Sequence, residues 1–135
     1  LIVHYASSLV RNPADTYRQV DLVGRTAQAG DGAGLVTLLY DELLAALRVA
    51  AIAAERGEAR LKSEKVTRAT AILFALEAGL DFDKGGSVSQ ALADLYAGAR
   101  RQVIAASIGN DPAPFRAAAE NLAEIADAWR QVRAA

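Results

Sequence analysis

The sequence predicts an all-α protein, an antiparallel up-down four-helix bundle with an additional N-terminal helix or segment. Three observations carry that expectation. Of 135 residues, 31 are alanine, the strongest helix former, whereas glycine and proline together number only 13. Apolar residues recur at steps of three and four in four separate stripes. Glycine and cap-then-proline signals fall between the stripes, and no run of alternating β-branched residues reads as a strand.

The elements follow from these signals in order. Asn12-Pro13 is a cap followed by proline at the first helical position, where its missing N–H costs nothing, and the helix it opens should reach about Ala29. Gly30-Asp31-Gly32-Ala33-Gly34 breaks that helix, and Asp31 is placed to cap a second one running to Arg56 before Gly57. The second stripe is Leu35, Leu39, Leu43, Ala46 and Ala50. A third helix, Glu58 to Leu80 or Asp81, carries Val66, Ala69, Leu73, Leu76 and Leu80. Gly85-Gly86 should end any continuation, and Ser87 with Gln90 has capping-box spacing for a fourth helix from Val88 to Ile108. Its stripe is Val88, Leu92, Leu95, Ala99 and Val103. Asp111-Pro112 repeats the cap-then-proline signal and opens a fifth, with Phe115, Ala118, Leu122, Ile125, Trp129 and Val132 on one face.

Composition excludes several functions. Lys plus Arg number 15 against 16 Asp plus Glu, a formal charge of -1, so no basic excess points to nucleic acid. Without cysteine there is no disulfide, thiolate nucleophile or zinc–thiolate site, and the single histidine, His4, stands alone near the start. No apolar run approaches the ~20 residues of a membrane span. Asp81-Phe82-Asp83-Lys84-Gly85-Gly86 begins like a calcium loop, but Gly85 and Leu92 stand where oxygen ligands are required, so an interhelical turn is expected. Gly30, Gly32 and Gly34 lack the lysine of a phosphate loop and the preceding strand of a dinucleotide fold. Asp41 and Glu42 are adjacent and so point apart on a helix. The expectation is a binding protein rather than an enzyme, with no cofactor and no metal.

The tyrosines suggest where binding occurs. Tyr40 and Tyr96 each follow a stripe leucine, as Leu39-Tyr40 and Leu95-Tyr96, which sets them at the edge of a core with the ring inward and the hydroxyl towards water. Two readings stand side by side: residues completing the core, or residues lining grooves that accept an amphipathic segment of a partner. The stretch Ile2 to Val10 is more apolar than an idle tail needs, so residues 1–12 are read as a segment able to act as a mobile lid, and 13–135 as a single bundle domain.

Several short motifs also resemble one family in order and spacing. They are Tyr5-Ala6-Ser7, the Ala14-to-Val20 segment with Tyr17, Gln19 and Val20, Leu38-Leu39-Tyr40-Asp41, Leu80-Asp81 through Gly85-Gly86, Leu92-Ala93-Asp94-Leu95-Tyr96, Asn110-Asp111 and Ala128-Trp129. In these the chain resembles the flagellar export chaperone family FliS over nearly its whole length. It departs from the family in the glycine-rich entry to the second helix, in Ala106-Ser107, and in extra residues between Ser7 and Tyr17. The resemblance implies a chaperone of the bacterial cytosol. Such a protein binds the disordered C-terminal segment of flagellin, prevents premature polymerisation and assists type III export. Carried over by motif, Tyr17 and Val20 lead the flagellin-binding candidates, followed by Leu39, Tyr40, Leu95 and Tyr96, while Tyr5, Leu9 and Val10 are candidates for the lid. Components of the export apparatus are further partners, and exposed grooves would permit a homodimer. The competing reading is a helical-bundle adaptor for another flagellar export or regulatory protein.

Overall fold

In the computed structural model, residues 32–134 are described, Ala33 and residues 132–134 by their backbone alone. The predicted helix over 13–29, the Asp31 cap, and Tyr5, Leu9, Val10, Tyr17 and Val20 lie outside the described residues. Four helices follow in order: α1 (Gly32–Arg56), α2 (Ala59–Ala78), α3 (Phe82–Ala106) and α4 (Ala113–Ala134).

Local chemistry sets each boundary. α1 stops at Gly57, whose φ of 70° lies in the left-handed region that glycine adopts without penalty. The Glu58 amide then donates to the Ala53 carbonyl and the Gly57 amide to Ala54, closing the end of the helix. At the start of α3 the Asp81 carboxylate accepts from the Lys84 amide at 3.0 Å. That carboxylate therefore serves as a helix cap, and the segment expected to be a turn is itself one turn of helix. The predicted break falls on Gly86 alone, with φ 50° and ψ −122°, inside a helix that resumes beyond it. The expected capping box is replaced: the Gln90 amide donates to Asp94, and Asp81 caps instead. At α4 the Asp111 carboxylate accepts from the Ala113 amide at 2.9 Å, but the helix begins at Ala113, one residue after the proline expected to open it.

Side-chain bonds fix the helices antiparallel. Arg116 meets Glu55 at 2.8 Å and Arg130 meets Asp41 at 2.7 Å, so α4 ascends as α1 descends. Trp129 Nε1 donates to Thr37 Oγ1 at 3.3 Å near the same end. Arg68 with Glu42 sets α1 against α2, and Arg100 with Glu77 sets α2 against α3. The guanidinium of Arg100 also lies 4.0 Å over the Phe74 ring. At the far end Lys62, itself buried, donates to the Gly109 carbonyl at 2.7 Å and holds the α3–α4 turn against α2. The exposed pairs contribute little energy individually, but together they define the register.

The core is built on α1, which packs most extensively, against α2 on one side and α4 on the other. Leu43, Leu47, Ala50, Ala53, Ala69, Ile72, Leu73, Val103 and Phe115 are wholly enclosed. Alanines such as Ala46, Ala50 and Ala54 occupy the face of α1 turned into the bundle, where a small side chain allows close approach of the neighbouring helices. Most of the predicted stripe positions are buried. Val88 departs from its stripe and is 65% exposed, because it lies in the first turn beyond the Gly86 kink.

Candidate functional site

Four of the residues singled out from sequence fall in the described part, and the structure separates them. Leu39, Tyr40 and Tyr96 are buried at 4%, 2% and 3% exposure, whereas Leu95 is half-buried. The tyrosine hydroxyls do not point to water as expected. Tyr40 from α1 and Tyr96 from α3 bring their oxygens to 2.7 Å of each other in the interior, joining two helices that are diagonal in the bundle. One hydroxyl donates and the other accepts, so neither oxygen sits in the apolar core without a partner. Burial pushes both phenols above their ordinary value. For Tyr40 the bond to Tyr96 pushes further in the same direction, while for Tyr96 the bond partly offsets the burial.

Leu95 belongs to a different environment. α3 packs more lightly on α4 than any other neighbouring pair. On α3, Val88, Leu92 and Leu95 stand at i, i+4 and i+7, one face of a helix. Gln102 Nε2 donates to the Pro114 carbonyl where the two helices begin to diverge from their common turn. Counting about 1.5 Å per residue from that bond brings Ile125 of α4 level with Leu92. Leu92, Leu95 and Ile125 are half-buried and rest on the core, and Val88 is exposed at the open end. The seam thus carries partly exposed apolar side chains that pack against the core beneath them.

A second apolar strip runs along the outside of α1. Leu38, Ala45 and Val49 are half-buried or exposed, and Ile52 is 42% exposed. They share the α1 face that carries Glu42, whose carboxylate accepts from Arg68 Nη2 of α2 at 3.1 Å. Sequence reading missed this strip, although Val49 and Ile52 falling outside the Leu39–Leu43–Ala46–Ala50 stripe was a readable sign. Among the described residues no group of three or more His, Asp or Glu side chains is placed to hold a metal ion, and no helix is long and apolar enough to cross a membrane.

The described residues thus form a helical bundle with a tyrosine pair bonded in its core and apolar side chains left partly open on two faces. Residues 11–135 match the family described as Flagellar protein FliS. The chain belongs to the FliS family. It is 33% identical over 99 residues to the flagellar secretion chaperone FliS of Salmonella typhimurium strain LT2, covering 73% of each chain. To the flagellar secretion chaperone FliS of Vibrio cholerae serotype O1 it is 25% identical over 123 residues, covering 91% of this chain and 90% of that one. In this bundle the Leu39-Tyr40 and Leu95-Tyr96 motifs fall in two different places. The tyrosines tie α1 to α3 inside, and Leu95 faces the α3–α4 seam.

Proposed function

We propose that this protein is a flagellar secretion chaperone of the bacterial cytosol that binds the disordered C-terminal segment of flagellin. It keeps the subunit from polymerising early and assists its type III export, acting by binding rather than catalysis. The observation that carries this reading is the FliS match across residues 11–135, nearly the whole chain. The apolar seam of half-buried Leu92, Leu95 and Ile125 with exposed Val88 at its end is consistent with it, because an amphipathic segment can cover such side chains.

On this reading Leu95 contacts the client directly, while Leu39, Tyr40 and Tyr96 shape the groove from beneath. Tyr17 and Val20 add client contacts from the sequence ahead of α1, and Tyr5, Leu9 and Val10 belong to a lid formed by residues 1–12, ahead of the bundle domain at 13–135. Folding a disordered tail costs about 2–5 kcal/mol of the gross interaction energy, so a large apolar contact is required.

Calorimetry with a peptide of the host flagellin's C-terminal segment, followed by circular dichroism of the mixture, tests the proposal. Saturable binding with a negative heat-capacity change and added helix is the expected result. No binding by the folded protein, even with residues 1–11 removed, would leave the adaptor reading in its place.

A further inference from the structure

Arg68 has an anomaly that the bundle itself does not explain. Its side chain is only 5% exposed, and one arm of its guanidinium, Nη2, donates to Glu42 Oε2 at 3.1 Å. The other arm, Nη1, is enclosed and has no hydrogen-bond partner. Arginine and glutamate usually satisfy each other through two parallel bonds, and a buried donor left unpaired is costly. Here the Glu42 side chain is 44% exposed, so the pair stands where the α1–α2 seam meets the surface. Leu38, Ala45 and Val49 flank Glu42 on its own face of α1, and Ala71 and Ala75 share the face of Arg68 on α2.

What Nη1 lacks can be specified. The positive charge of Arg68 is already balanced by Glu42, and a second carboxylate would stand close to the first and be repelled by it. The missing group is an uncharged acceptor. An apolar segment lying on the Leu38–Val49 strip offers one kind of strong neutral acceptor, the main-chain carbonyl, left free along an extended stretch or at the last turn of a helix.

We propose that Arg68 is a client anchor: a small rotation of its guanidinium at the α1–α2 seam presents Nη1 to a main-chain carbonyl of the bound flagellin segment while Nη2 keeps Glu42. This rests on the flagellin reading above and deepens it, adding a second contact region on the α1–α2 face and a main-chain bond that does not depend on the client's side chains.

The test uses the full chain, the flagellin C-terminal peptide, and two variants. Arg68→Lys keeps the charge opposite Glu42 but loses the planar two-armed fork, and Arg68→Met removes both. Each is expected to weaken peptide binding about tenfold, the loss of one charge-assisted hydrogen bond. In the wild type, the guanidinium nitrogen signals of Arg68 should show slower rotation once the peptide is bound. If Arg68→Met fails to fold, Arg68→Lys and the guanidinium signal decide. Wild-type affinity in a folded Arg68→Lys variant, or an Arg68 signal unchanged by peptide, would overturn the anchor and leave the flagellin reading standing. Absence of peptide binding by the wild type would overturn both.

Discussion

Replacing Tyr96 by phenylalanine removes one oxygen from the middle of the bundle and strands another. The Tyr40 hydroxyl is 2.7 Å from its partner, and Tyr40 and Tyr96 are 2% and 3% exposed, so water is not at hand to take the vacated position. Stranding a buried hydroxyl costs about 1–3 kcal/mol, and Tyr40→Phe should cost the same for the mirror reason. The double variant removes both polar groups and leaves two rings in apolar surroundings, so it should lose no more than either single variant. The double-mutant cycle then gives a coupling energy of roughly 1–3 kcal/mol between residues 56 positions apart. Urea unfolding followed by far-UV circular dichroism measures this, with an unchanged m-value required in all four proteins. For a chain of this length each kcal/mol corresponds to a shift in Tm of about 3–5 °C. Strict additivity of the two single losses would refute the reasoning, since hydroxyls that do not meet cannot couple.

The same pair makes the bundle sensitive to alkali. Both phenols hold their protons more tightly folded than unfolded, so stability is full below the ordinary tyrosine value near 10 and falls as pH rises above it. Urea titrations at rising pH should show the decline, and the double phenylalanine variant should show less of it. Gly85→Ala should destabilise by about 1–3 kcal/mol, because a Cβ there would collide with Ser89 Oγ, which is committed to the Asp81 carbonyl at 2.8 Å; a neutral result by urea unfolding would mean that the turn opens freely. Val88→Glu places a charge on a side chain that is 65% exposed, so Tm should change little, while calorimetry should show weakened flagellin-peptide binding. Loss of both together would assign Val88 to the core.

The order and most boundaries of the four described helices were legible because they are local. Gly57, the Asp111 carboxylate and the three-and-four spacing of leucine and alanine act over a few residues, and they mark the helix ends and the buried faces. The Gly85-Gly86 signal was read one turn too strongly: Gly86 alone leaves helical geometry, and the Asp81 carboxylate rescues a helical turn before it. The candidate site was less legible, because the meaning of Tyr40 depends on Tyr96 and that of Arg68 on Glu42, pairs far apart in the chain. Position beside a stripe leucine places a tyrosine at the core margin but does not say whether its hydroxyl finds a partner inside. Val88 departs from its stripe because periodicity does not show the Gly86 kink that precedes it.

The unequal packing of the four helices has a consequence for how the molecule opens. α1 is clamped between α2 and α4, whereas α3 is lightly joined to α4 and is entered through the Gly86 kink. Partial unfolding should therefore begin by lifting α3 about its entry turn, with α1 last to give way. Amide hydrogens of α3 from Ala91 to Leu95 should exchange in an opening well below the global unfolding free energy, and those of Leu43 to Ala50 only when the whole chain unfolds. The Tyr40–Tyr96 bond is the brake on that motion, because it is the side-chain bond that reaches α3 through the centre of the bundle.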